Sequence, residues 1–90
     1  MIPKHRPPTS PGEMLLDEFL VPIGMTQRAL AEELGVSVQT VNLIIKAKRG
    51  ITAETAVRLS RVFENSPQFW LGLQMDWDLW RAERNLAEVG

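Results

Sequence analysis

The stretch "TQRALAEELGVSVQTVNLII", residues 26–45, decides the fold. It holds two short helical patterns around one glycine. Thr26 suits a helix N-cap, because a hydroxyl there accepts an otherwise unpaired N–H of the first turn. Leu30, Ala31 and Leu34 then recur at helical spacing, and Gly35 supplies a stop. Ser37 repeats the cap, and Val38, Val41, Ile44 and Ile45 form the second inward stripe. Two helices crossing steeply over a turn of three or four residues need a small residue at the crossing. They also need one tolerant of positive φ at the turn. Ala31 and Gly35 stand at those two places, and Val36, Val41 and Ile44 would pin the second helix from below.

The outward side of that second helix is unusual. Gln39, Asn42 and Lys46 lie at helical spacing, with Thr40 and Leu43 beside them. An idle solvated helix usually carries Glu/Lys pairs, whereas Gln and Asn can hold an adenine edge through two hydrogen bonds. A plain helical hairpin would share the core pattern but leaves this amide face unexplained. Leu43 is expected either against a thymine methyl or half buried. "KAKRG", residues 46–50, follows where such a helix would leave a major groove. Lys46, Lys48 and Arg49 suit phosphates there, and such contacts set affinity and register rather than sequence choice. Gln27 could reach a phosphate beside its helix amino end, or be an ordinary surface glutamine. With Ser37, these residues make up the candidate DNA-binding set.

The flanks extend the helical pattern. Residues 1–9 hold Pro3, Pro7 and Pro8 without periodicity and are expected to form a flexible arm, with a domain over 10–90. "SPGE" opens a helix, with Ser10 as cap, Pro11 at its first position and Glu13 as box partner. Met14, Leu15, Phe19 and Leu20 give its stripe, and Pro22 and Gly24 are expected to end it. After Gly50, Thr52 caps a fourth helix with Ala56, Leu59, Val62 and Phe63 inward. "NSPQFW" repeats the Ser–Pro opening, and a fifth, long helix is expected over 67–87. No segment alternates with period 2. The fold class is therefore all-α: five helices around a helix-turn-helix, with a long C-terminal helix.

Composition bounds the function. Ninety residues make one small domain, 44% hydrophobic and 23% charged. There is no cysteine, hence no thiolate metal site, and one histidine, His5, lies in the expected arm. Glu32 and Glu33 diverge by about 100° on a helix and form no catalytic pair. No metal spacing or glycine-rich phosphate loop appears, so neither an enzyme nor a cofactor or metal is expected. No signal-peptide pattern and no membrane-spanning run are present, which places the protein in the cytoplasm. The net charge of −1 is unevenly spread. Residues 35–53 carry Lys46, Lys48 and Arg49 with no acid, while residues 11–34 sum to −4. Phosphate attraction depends on the local face, because screening acts within about 8–10 Å. A pure protein-interaction adaptor is the reading that low net charge would favour.

Residues 10–81 closely resemble HigA-type antitoxins, in the wider Xre-type family of phage-repressor-like helix-turn-helix proteins. The sharpest marks are "PGE" at 11–13, "KRGIT" at 48–52 and "SPQFWLGLQ" at 66–74. The resemblance implies a homodimer on a palindromic operator of double-stranded DNA. It also implies neutralisation of a RelE/HigB-like ribonuclease toxin and repression of the protein's own operon. A stand-alone Xre-type repressor without a toxin is the alternative. One departure stands out: many relatives have asparagine–glycine before the lysine–arginine pair, and this chain has Lys46–Ala47. Either the helix runs on through Ala47, or the turn differs.

Three tryptophans fall in the fifth helix, with Trp70, Leu73 and Trp77 on one face. Phe69, Trp70 and Leu73 are expected to complete the core. A domain this small can hardly bury the rest, and surplus aromatics at a helix end mark an interface. Trp77, Leu79 and Trp80 are therefore expected to form a two-fold dimer contact or a toxin contact. The arm is expected either to wrap a partner or to stay a loose tail.

Overall fold

The computed structural model describes residues 7–89. Lys4, His5 and most of the expected arm lie outside the described residues. Among the described residues the elements are helical. Helix α1 (11–23) combines an α-turn, Pro11–Met14, a wider π-helical stretch, Leu15–Leu20, and a last turn, Val21–Ile23. It is followed by α2, Gln27–Leu34, α3, Val38–Ile45, α4, Ala53–Phe63, and α5, Pro67–Val89. The last runs two residues beyond the expected end.

Each helix starts on the hydroxyl that the sequence offers. Ser10 accepts the Glu13 N–H, Thr26 that of Ala29, Ser37 that of Thr40, Thr52 that of Thr55 and Ser66 that of Phe69, all at 3.0–3.2 Å. Such caps stabilise by about 1 kcal/mol each. Pro22 does not end α1, which continues through it to Ile23. A helix-interior proline lacks an N–H and crowds the carbonyl one turn back. The wider turn ahead of it, where Val21 N–H reaches back to Leu16 O, accommodates that crowding.

Three helices end on the same pair of backbone bonds, around a residue in the left-handed region. At Gly24 (φ 70°) Met25 N–H bonds Leu20 O, and at Gly35 (φ 72°) Val36 N–H bonds Ala31 O, both at 3.0 Å. The third is Ala47, at φ 58°, where Lys48 N–H bonds Leu43 O at 2.9 Å and Ala47 N–H bonds Ile44 O at 3.0 Å. The departure from asparagine–glycine therefore leaves the turn geometry intact. Alanine adopts it at a cost of about 1 kcal/mol.

Leu15, Leu20, Leu30, Ala31, Leu34, Val41, Ile44, Ile51, Ala56, Leu59 and Trp70 form the buried core. Phe19 packs its ring against Phe63, Trp70 and Phe69, at 4.9, 5.0 and 6.0 Å between centroids. The buried indole N–H of Trp70 donates to Asn65 Oδ1 at 2.9 Å. Two inward expectations are softened. Val38 is 39% exposed and Phe69 38%. Both occupy the first turn of a helix, where the neighbouring turn that would cover them has not yet formed.

Two contacts hold the helix-turn-helix in place. Arg58 on α4 donates to the terminal carbonyl of α2, Leu34 O, at 2.7 Å and pairs with Glu54 at 3.2 Å. The start of α1 abuts the end of α3. A Cβ on Gly12 would overlap the Ile44 and Ile45 carbonyl oxygens. Only glycine lets the backbones approach this closely, and the positive end of one helix dipole then meets the negative end of another.

Candidate nucleic-acid interface

Helix α3 is held from beneath by Val41 and Ile44, both 2% exposed or less, while Ala31, 4% exposed, lies at the crossing. Its other side is polar and open. Gln39 is exposed, Leu43 is half-buried, and Lys46, Lys48 and Arg49 are exposed.

The candidate residues are ordered by contacts with one another. Asn42 Nδ2 donates to Gln27 Oε1 at 3.2 Å, bridging α3 to the start of α2. Each amide keeps its opposite function, Asn42 Oδ1 and Gln27 Nε2, for another partner. Along the other side, Ser37 Oγ and Thr40 Oγ1 share a hydrogen bond of 3.0 Å, and Arg49 Nη1 donates to Thr40 Oγ1 at 3.1 Å. Arg49 thus folds back along α3 and sets its charge beside the helix's first turn. The structure thus joins Gln27 to Asn42 on one flank of α3 and Ser37, Thr40 and Arg49 on the other, with Gln39 exposed on the same helix, and Lys46 and Lys48 follow where the chain leaves it.

The basic exit loop is tied to α5. Ile51 N–H donates to Gln74 Oε1 at 2.7 Å, and Gln74 Nε2 donates to Asp78 Oδ1 at 2.9 Å. A Cβ on Gly50 would stand 3.1–3.3 Å from the Gln74 amide group. A groove of about 390 Å³ lies here, between the loop, Pro11 and the Gln74, Trp77, Asp78 and Arg81 side of α5. Neither Gly12 nor Gln74 belongs to the sequence-derived site. Their signal was the "PGE" and "SPQFWLGLQ" stretches, conspicuous before any contact explained them.

At the outer part of α5, Trp77 and Trp80 are half-buried and stack at 5.5 Å, tilted by 32°. The Arg84 guanidinium lies 5.3 Å over the Trp80 ring. Leu79 does not join them. Helical geometry turns it about 100° from Trp80, and its exposure of 47% aligns it with Met75 at 57% and Leu86 at 72%. Among the described residues, no helix is long and apolar enough to cross a membrane, and no cluster of three or more His, Asp or Glu could hold a metal.

Residues 16–70 match the helix-turn-helix family. The chain is 43% identical over 83 residues to antitoxin HigA-1 of Vibrio cholerae, covering 92% of this chain and 78% of that one. The chain belongs to the HigA-type, Xre-like helix-turn-helix family. Its HigA-type backbone also matches a solved structure, Pseudomonas aeruginosa antitoxin HigA with the higBA promoter. There the TM-score is 0.86 at 44% identity, over 92% of this chain and 89% of that one. A relative named as an uncharacterised helix-turn-helix transcriptional regulator, YbaQ of Escherichia coli, is 43% identical. That match spans 81 residues, 90% of this chain and 72% of YbaQ. The polar face of α3 therefore lies on the second helix of the helix-turn-helix in a HigA-type fold.

Proposed function

We propose that this chain is a cytoplasmic antitoxin that binds a palindromic operator as a homodimer and represses its own operon. In the same reading it neutralises a RelE/HigB-like ribonuclease toxin. The observation carrying it is the outward face of α3, where Gln39 is exposed and Asn42 is oriented by Gln27. Helix α3 lies in the major groove, with Gln39 and Asn42 toward base edges and Leu43 toward a thymine methyl. Gln27, Ser37, Thr40, Lys46, Lys48 and Arg49 face the backbone, which fixes register. The relative from Pseudomonas aeruginosa solved with its promoter supports this mode.

A helix-turn-helix of this kind acts as a pair, with reading helices about 34 Å apart. The outer half of α5 serves as the dimerisation helix in this reading. Because Trp77 and Trp80 face one way and Leu79 another, it offers two surfaces for two partners, a second copy and the toxin. No cofactor enters.

A gel shift with the protein's own promoter tests the DNA reading. The double variant Gln39→Ala/Asn42→Ala should weaken binding by at least about 2 kcal/mol, since a bidentate base contact contributes about 1–3 kcal/mol. Parent-like binding would remove α3 as the reader and leave the adaptor. The name borne by YbaQ favours a second reading, a stand-alone repressor. Co-expression with the product of the adjacent upstream gene decides. Growth arrest by that product alone, relieved by this chain, supports the antitoxin; a harmless neighbour supports the repressor.

A further inference from the structure

The bond between Gln74 and Ile51 joins parts of the molecule that the fold gives different tasks. Gln74 lies on the long helix, four residues before Asp78 and three before Trp77. Ile51 is buried, at 4% exposure, and directly follows the exposed run Lys48–Arg49–Gly50. Its N–H donates to Gln74 Oε1 at 2.7 Å and so ties the loop to α5. The amide is itself oriented, because Nε2 is held by Asp78 Oδ1 at 2.9 Å. Gly50 packs against the same amide, and a Cβ there would stand only 3.1–3.3 Å from it, close enough to displace it. The loop is thus clamped at its carboxyl end by Gln74. At its amino end, the bonds that Lys48 and Arg49 N–H both make to Leu43 O hold it.

We propose that Gln74 is a positioning residue for DNA-backbone binding, fixing the loop that aims Lys48 and Arg49 and so coupling α5 to operator affinity. This rests on the reading of Lys48 and Arg49 as phosphate contacts. A cation on a short loop neutralises a phosphate only while the loop holds its distance from the duplex. With Ile51 N–H unpaired, a buried donor seeks another acceptor and the loop moves with it. Gln74 touches no DNA. Its effect passes through the backbone of residues 48–51, and a partner that shifts α5 would shift the loop in the same way.

The test measures operator binding of the full chain by fluorescence anisotropy across a salt series. Gln74→Met keeps the bulk and removes the acceptor. Gln74→Glu combined with Asp78→Asn exchanges the two polarities without changing net charge, so that the new carboxylate accepts from both Ile51 N–H and the new amide. Lys48→Ala/Arg49→Ala is the control for the phosphate reading. Gln74→Met should bind about three- to tenfold more weakly and flatten the slope of log K against log salt by about one phosphate contact, near 0.9. Its Ile51 amide should exchange faster, while the exchanged pair restores parent binding. Gly50→Ala presses on the same amide from the other side and should also flatten the slope, which keeps the proposal testable if Gln74→Met does not fold. Parent-like affinity and slope in Gln74→Met or, failing its folding, in Gly50→Ala, with the control weakened, overturns the positioning of the loop. A parent-like control overturns the phosphate reading instead.

Discussion

The two halves of α5 carry the same kind of residue and use it differently. In the inner half Trp70 is 0% exposed, its N–H is satisfied by Asn65, and three phenylalanine rings surround it. In the outer half Trp77 and Trp80 lean on each other and on Arg84, half in solvent. A tryptophan with a full set of partners contributes to folding. One stacked at the edge has area left to bury, and aromatic rings with one open side are what interfaces select. The difference lies in what surrounds the residue: Phe19, Phe63, Phe69 and Asn65 enclose Trp70, whereas Trp77 and Trp80 remain partly in solvent.

Four substitutions would break or sharpen this contrast. Trp70→Ala is the most damaging, with an expected loss of about 3–5 kcal/mol in denaturant unfolding because it empties the aromatic centre. A loss below that of an edge residue would erase the distinction between the halves. Asn65→Ala strands the buried indole N–H and should cost about 1–3 kcal/mol, recovered in part by Asn65→Asp, which keeps an acceptor. Trp80→Ala removes a stacked pair whose geometry is worth about 0.5–1.5 kcal/mol, so unfolding should change little. Its sedimentation mass should fall from dimer to monomer, and an unchanged dimer takes Trp80 out of the two-fold contact. Leu86→Ala, on the far exposed stripe, should leave stability within about 0.5 kcal/mol by thermal scan.

Much of this was legible in the sequence because it is local. A hydroxyl three residues before a free N–H is a short-range signal, and all five caps sit where serine or threonine places them. The glycine at 35 and the small residue at 31 read correctly for the same reason. Ala47 was ambiguous, since its own propensity opposes the left-handed turn; the two backbone bonds closing α3 override it. Pro22 misleads in the opposite direction, as a wider turn lets the helix pass through it. The least visible features are ties across the chain. Asn42 meets Gln27 fifteen residues away and Ile51 meets Gln74 twenty-three away. Spacing rules see one helix at a time, so they could rank Asn42 as polar and outward but could not name its partner. Leu79, expected at an interface with Trp77 and Trp80, stands about 100° around the helix from Trp80.

In the proposed reading, the short length of α3 sets how much sequence one copy distinguishes. Eight residues rise about 12 Å, the span of three or four stacked base pairs. The helix cannot grow to read more, because Ala47 turns the chain and the α1 backbone at Gly12 lies on its last carbonyls. Four base pairs name one word in roughly two hundred and fifty, against about a million competing positions in a genome. A single copy would find its word thousands of times over. A symmetric pair squares the vocabulary to some tens of thousands of words, and the bendability of the intervening duplex must supply the remainder.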